Sequence, residues 1–95
     1  MASRFRYSWV REELKWRLMR RGFYVHLHAY DYLVMHENSI VCTIHLLPEL
    51  GEAYVNRFKL NPISAPLVSE VIREILSLDP RIRVMVRDVP QRILA

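Results

Sequence analysis

Arginine and aromatic side chains lie close together in the first 21 residues, and this combination is the strongest chemical signal in the chain. Seven basic residues and only two acidic ones fall there, whereas the rest of the chain carries seven basic and eight acidic groups. Such a local excess attracts phosphate-bearing or other anionic partners, unless it is simply a solvated basic arm. Twelve of the fourteen basic residues are arginines, whose guanidinium groups bind phosphates through two hydrogen bonds and stack on bases.

Single-stranded nucleic acid is held by these two groups together, because cations follow the phosphates and flat rings stack on unpaired bases at roughly 1–3 kcal/mol per base. The candidate phosphate contacts are Arg4, Arg6, Arg11, Arg17, Arg20 and Arg57, and the candidate base contacts are Trp9, Trp16, Tyr30, Tyr32 and His45. The alternative is that the aromatic residues fill a second small core or an interface between copies. An oligomer that traps a strand between subunits satisfies both interpretations.

A helix is expected to position the first group of these residues. Residues 1–7 form a basic-aromatic arm, and Ser8 is a candidate N-cap for a helix that ends near Arg21, before Gly22.

The predicted first helix has two apolar faces, one more than a single core requires. Val10, Leu14 and Leu18 are four apart and form one stripe, while Trp9 and Trp16 are seven apart and share a different face.

After Phe23 the apolar period changes to two, which indicates strands. The predicted strands run from Phe23 to a bend near Ala29–Asp31, from Tyr32 to His36, from about Ser39 to Leu47, from Glu52 to Leu60 and from Arg81 to Val89, and a second helix runs from about Ala65 to Leu78. We predict one α+β domain over residues 1–95, with 90–95 as a short tail. Its mainly antiparallel sheet has four or five strands and two helices on one face, in the order α-β-β-β-β-α-β.

The two-residue hairpin turn expected at Glu37-Asn38 predicts the register of the second and third strands. It pairs Met35 with Ile40 and Leu33 with Cys42 on an apolar side, and Val34 with Val41, Tyr32 with Thr43 and Tyr30 with His45 on the other side. The helices are expected to cover the apolar side, and the aromatic and histidine side need not be covered.

Few features of the sequence suggest a metal site or an enzymatic activity. His26, His28 and His45 offer imidazole ligands for Zn²⁺ or Cu²⁺, but only Asp31 could complete such a site, so we interpret them as half-exposed strand residues. We predict no metal and no cofactor. Cys42 is alone and on an apolar side, which argues against a disulfide and a nucleophile and favours a reducing, cytoplasmic location. Neither a membrane-spanning run nor a signal peptide is expected.

The order of elements resembles the PD-(D/E)xK nuclease core of archaeal Holliday-junction resolvases. Glu12-Glu13-Leu14 through Arg21-Gly22-Phe23 resembles that family's first helix and its exit, and Asp31 falls where the metal-binding aspartate would lie. The next strand has Thr43-Ile44-His45 where the family needs an acid and a lysine two apart. We therefore predict no enzyme, and keep as alternatives a resolvase-like domain with a degenerate site and a nuclease that uses Asp31 with Glu12 or Glu13.

The chain as a whole, from Arg4 to about Val89, resembles the archaeal ThermoDBP-related single-stranded DNA-binding proteins. The resemblance rests on a basic-aromatic first helix, an antiparallel sheet and a packing helix. It implies a fold other than the OB-fold, oligomerisation and no catalysis. Because 90–95 is too short for a zipper helix, an oligomer would use the surfaces of the domain itself.

The leading hypothesis is a non-catalytic, largely sequence-independent protein that binds single-stranded DNA, or RNA, as a homodimer or homotetramer. The scarcity of glycine, asparagine and glutamine is typical of a thermophilic source. A protein-interaction module, whose aromatic surface binds another protein, is the remaining alternative.

Overall fold

The computed structural model describes residues 2–58 and 64–89 and contains, within them, two α-helices and one mixed sheet. Ser8–Arg20 is α1, Tyr24–His28 is β1, Asp31–His36 is β2, Ser39–Leu47 is β3, Glu52–Phe58 is β4, Ser64–Leu78 is α2 and Arg83–Val89 is β5. The predicted α+β class and element order are confirmed. The predicted tail at 90–95 and the end of the predicted fourth strand at Leu60 lie outside the described residues.

The five strands lie in the sheet in chain order. The first four pair antiparallel through short connections, whereas β5 pairs parallel with β4. A parallel pair needs a long crossover, and α2 supplies it. No helix in the two described ranges is long and apolar enough to cross a membrane.

Two tight turns connect the first three strands. Glu37 and Asn38 both have positive φ, 49° and 65°, as a type I′ hairpin turn requires, so the predicted turn is confirmed. A second two-residue connection, at Ala29 and Tyr30, joins β1 to β2, and Ala29 has a φ of 55°. Tyr30 therefore lies in a turn and not in a strand.

The predicted register between β2 and β3 is wrong beyond the first pairs. Met35 lies opposite Ile40 as expected, but the register then shifts, so that Val34 pairs with Cys42 and Tyr32 with Ile44. A β-bulge gives β3 one extra residue, and each extra residue reverses the face on which all later partners lie.

The bulge decides which side chains of β2 enter the core. The covered face of the sheet, beneath the two helices, carries Val25, Leu27, Tyr32, Val34, Cys42, Ile44, Leu46, Ala53 and Val55. Leu33 and Met35, which the sequence assigned to the core, lie on the opposite face and are half-buried. The predicted helix stripe of Val10, Leu14 and Leu18 is buried against the covered face.

The segment before α1 is folded, whereas the sequence suggested an arm. Arg4–Arg6 forms a 3₁₀ helix whose Phe5 side chain is 0% exposed in the core. Ser3 caps this turn, because its hydroxyl accepts a hydrogen bond from the Phe5 amide at 3.1 Å, and its own amide donates to the Pro48 carbonyl at 2.7 Å. The predicted cap at Ser8 is wrong: Tyr7 occupies the N-cap position of α1, without a side-chain hydrogen bond.

Tyr32 is a core residue, 1% exposed, whose hydroxyl donates a hydrogen bond to the Arg11 carbonyl at 2.8 Å. It cannot stack on a base, so its predicted role in binding is wrong. The misassigned register is the reason, since it put Tyr32 on the uncovered side.

Because Tyr32 is buried, the stability of the protein should depend on pH in the alkaline range. Desolvation raises the pKa of its phenol well above the ordinary value of 10.0. Below pH 10 the phenol is neutral in the folded and unfolded states, whereas above pH 10 only the unfolded chain ionises freely, so the free energy of unfolding should fall as pH rises. Tyr32→Phe should cost about 1 kcal/mol at neutral pH, for the lost hydrogen bond, and should show a shallower alkaline fall. Urea titrations of both proteins across this range measure it, and identical alkaline slopes would contradict it.

Candidate nucleic-acid interface

Trp9 and Trp16 project from the outer surface of α1 and are 62% and 49% exposed. Seven residues of helix place them nearly in line, roughly 10 Å apart along the axis. The buried stripe of Val10, Leu14 and Leu18 lies about 140° around the helix from them and points at the sheet. The tryptophans therefore point away from the sheet, as a separate face that the core does not need.

Cations lie next to Trp16 on this face and over Tyr7 just before the helix. The Lys15 ammonium lies 4.8 Å from the centre of the Trp16 ring, and Arg20 is exposed on the last turn of α1. In the preceding 3₁₀ helix, the Arg6 guanidinium stacks over the Tyr7 ring at 4.7 Å, and both residues are exposed. We call Arg6, Tyr7, Trp9, Lys15, Trp16 and Arg20 the tryptophan surface.

A carboxylate moderates the charge of this surface. Glu13 lies between the tryptophans on the same side of α1 and accepts hydrogen bonds from Arg17 at 3.1 Å and Arg20 at 3.3 Å. The hydrogen bond from Arg17, together with that from Arg20, holds the pKa of Glu13 below its ordinary value, so the carboxylate is ionised. Arg20 is therefore partly neutralised, whereas Arg6 has no acidic partner among the described residues.

Several other basic residues are committed to holding the helices together. Arg17 donates to Ser77 of α2 at 3.0 Å, and Arg21 forms ion pairs with Glu74 and, at 2.9 Å, with Glu70. Arg17 was a candidate for phosphate contact, and its guanidinium instead bridges α1 and α2. The basic excess of the first segment is thus partly balanced by the acidic residues of α2.

Arg11, another candidate for phosphate contact, likewise has a structural role. Its Nη1 donates to the carbonyls of Phe5 at 2.8 Å and Arg6 at 3.0 Å, and its guanidinium stacks on Tyr30 at 4.3 Å. The ring of Tyr30 is thereby partly covered, on the side of the molecule where α1 begins.

His45 lies on the open face of the sheet, which is the face away from the helices. Its Nδ1 is hydrogen-bonded to the carboxyl group of Asp31, directly opposite on β2, and His28 faces Asp31 from β1. With His26 and Thr43, these residues line a shallow concavity of about 480 Å³. Since the open face and the tryptophan surface lie on opposite sides of the two layers, His45 and the two tryptophans do not belong to one continuous surface.

The open face carries a polar chain that the sequence did not indicate. Arg87 stacks on Tyr54 at 4.5 Å and donates to the Asn56 side chain at 3.1 Å, and Asn56 donates to the Thr43 hydroxyl at 3.1 Å. These residues come from β5, β4 and β3. Their meeting depends on the parallel register of β5, for which the sequence carries no local signal. Tyr7 and Lys15, which lie on the tryptophan surface, were not among the predicted contacts, although both adjoin selected residues in sequence.

Arg57 is a predicted contact that is distant from both surfaces. It pairs with Cys42 in register, on the covered side of the sheet, and donates to Asp88 at 2.8 Å. That hydrogen bond raises the pKa of Arg57, so the pair is firmly ionic. Arg4, the last candidate, is exposed beside a concavity at the other end of the 3₁₀ helix.

The carboxylates needed by the nuclease alternative are not brought together. Asp31 is on the open face, paired with His45, whereas Glu12 and Glu13 lie on the outer surface of α1. Glu12 is 3.2 Å from Lys15, and Glu13 is bound by arginines. In the described part of the chain, no three His, Cys, Asp or Glu side chains are arranged to hold a metal ion.

Cys42 is buried in β3, and desolvation raises the pKa of its thiol to about 12. A thiol that stays protonated and inaccessible at neutral pH is a poor nucleophile.

Comparison with known proteins does not assign the chain to a family. No protein-family model matches it, and no significant match was found among curated proteins or solved structures. The resemblance to the ThermoDBP-related proteins therefore remains a prediction, and the function has to be argued from the surfaces themselves.

Proposed function

We propose that this protein is a non-catalytic, largely sequence-independent single-stranded DNA-binding protein, and that the tryptophan surface is its binding site. The observation that carries the proposal is the pair of exposed tryptophans two helical turns apart, with Lys15 and Arg20 next to Trp16 and the exposed Arg6 just before the helix. Two large exposed rings on a helix that already has a separate buried stripe serve no packing purpose in the described fold.

The geometry suits an unpaired strand better than a duplex. Each indole offers a flat face to a base, and stacking tolerates any base because each has a π face. Base pairs in a duplex are already stacked on one another, so the same rings would gain little from it. The exposed Arg6 and Arg20 and the half-buried Lys15 supply the contacts to the phosphates.

A titration of fluorescently labelled oligo-dT tests the proposal. Three phosphate contacts predict that affinity falls about 20-fold between 50 and 200 mM salt, because bound cations are released from a single strand. Duplex DNA of the same length should bind much more weakly, and oligo-U in parallel shows whether RNA is accepted. Absence of oligo-dT binding at low salt would refute the proposal.

Assembly into a homo-oligomer is a second proposal, and the open face favours it. Tyr24 is 63% exposed there, beside the half-buried apolar side chains of Leu33 and Met35. Apolar side chains on an uncovered sheet are typical of an interface.

We expect the protein to be larger than its 11.4 kDa chain in light scattering, and Tyr24→Ser to shift it towards the monomer. Trp16→Ala, on the opposite side, should leave the mass unchanged. A monomeric wild-type protein at high concentration would contradict this second proposal.

A further inference from the structure

A concavity of about 660 Å³ lies where the N-terminal segment meets the turn between α2 and β5. Arg4 lines it from the N-terminal segment, and Arg81 and Arg83 line it from the turn after α2 and the start of β5. Its size is in the range of small-molecule sites. It belongs neither to the tryptophan surface nor to the open-face concavity.

One buried carboxylate holds the two sides of this concavity together. Asp79, 5% exposed, accepts hydrogen bonds from the Ser3 hydroxyl at 2.6 Å and the Arg4 amide at 3.1 Å through Oδ2, and from the Arg81 amide at 3.1 Å through Oδ1. Ser3 is itself 3% exposed. The backbones that carry Arg4 and Arg81 are therefore fixed relative to each other.

The charges around the concavity are not balanced. Arg83 donates to Glu52 at 2.6 Å, so its charge is compensated. The guanidinium groups of Arg4 and Arg81 are exposed and have no carboxylate partner among the described residues. Both oxygens of the Asp79 carboxylate accept hydrogen bonds from the Ser3 hydroxyl and from the Arg4 and Arg81 amides, not from their guanidinium groups. Two arginines that line one concavity repel each other, and an anion between them would remove that cost.

We propose that this concavity binds a phosphate monoester through the side chains of Arg4 and Arg81. The forked guanidinium group suits the several oxygens of a terminal phosphate, which carries more charge than a diester. The inference rests on the proposed function, because the phosphate monoester that we expect in the concavity is the phosphorylated end of a bound DNA strand. Arg4 begins the 3₁₀ helix that leads through Tyr7 into α1, so the concavity adjoins the start of the tryptophan surface.

The test compares oligo-dT of one length with a 5′-phosphate, a 3′-phosphate or neither. The wild-type protein should bind one phosphorylated form at least about tenfold more tightly than the unphosphorylated form, as charge-assisted hydrogen bonds predict. Arg81→Gln should abolish that gain and leave binding of the unphosphorylated oligonucleotide within about twofold of wild type. Arg73→Gln, at an exposed position of α2 away from the concavity, is the matched control and should retain the gain.

An equal affinity for all three oligonucleotides, or a gain that survives Arg81→Gln, would overturn the inference. If no oligonucleotide binds, the proposed function fails, and thymidine monophosphate then tests the concavity alone by amide NMR. Shifts at Arg4 and Arg81 that Arg81→Gln removes would support a free nucleotide as the ligand. No shifts at millimolar nucleotide would reject the site.

Discussion

Replacing Trp9 or Trp16 by alanine should weaken binding of oligo-dT by roughly 5- to 150-fold each, because a stacked base contributes about 1–3 kcal/mol. The double variant should lose more than either single one. Both rings are exposed, so the free energy of unfolding should change by less than about 0.5 kcal/mol. Fluorescence anisotropy of the labelled oligonucleotide at low salt measures the affinity, and urea denaturation measures the stability.

Met19→Ala is the matched control for this experiment. Met19 is a large exposed side chain on the same helix, but it has no ring on which a base can stack. It should leave affinity close to that of the wild type, while Trp9→Phe and Trp16→Phe should retain most of the binding. If the double alanine variant binds as tightly as the wild type, the strand does not lie on the tryptophan surface, and the open face becomes the next site to test.

Phe5→Ala is expected to destabilise the protein by about 3–5 kcal/mol. Phe5 is fully buried although it lies only a few residues from the start of the described chain, and its loss leaves a cavity between the N-terminal segment and the core. Small domains are stable by only about 5–15 kcal/mol, so much of the total would be lost. Urea denaturation followed by circular dichroism measures the change.

Tyr7→Ala provides the comparison within the same segment. Tyr7 is exposed, so its removal should change stability by less than about 0.5 kcal/mol. A basic-aromatic arm that is not part of the fold would make the two variants equally harmless. An unfolding midpoint for Phe5→Ala equal to that of the wild type would therefore support an N-terminal arm that is not part of the fold. It would contradict the packing of Phe5 in the core.

Part of the positive charge of the first segment serves to hold the fold together and is not available to a ligand. Arg11, Arg17 and Arg21 hold the 3₁₀ helix and α2 in place, and only part of the excess faces solvent without an acidic partner. A moderate salt dependence of binding follows. A much steeper one would mean that a strand also contacts Arg4 and the concavity beside it.

Local patterns in the sequence were sufficient for most of the fold. The type I′ turn at Glu37-Asn38, the stripe of Val10, Leu14 and Leu18, and the order of the elements all follow from spacing and turn residues near in sequence. The exposed tryptophan face was predictable for the same reason, since a helix cannot bury two faces against one sheet.

The candidate site was harder to predict, because it depends on which groups meet across the fold. Because of a single bulge in β3, Tyr32 lies in the core and Leu33 lies outside it, contrary to the predicted register. One extra residue in a strand has no clear signal in the sequence. Arg11 became a structural residue because the carbonyls of the preceding turn and the ring of Tyr30 lie beside it.

The sequence by itself determined the α+β order, the basic-aromatic composition of the first segment and the two faces of α1, because these depend on neighbours within a few residues. Tertiary structure alone decided which of the arginines face solvent and that His26, His28 and His45 lie on the side opposite the tryptophans. It also decided that Asp79 joins Arg4 to Arg81. Contacts of this kind join residues far apart in the chain, and their partners are set by register and layer packing, which no local pattern encodes.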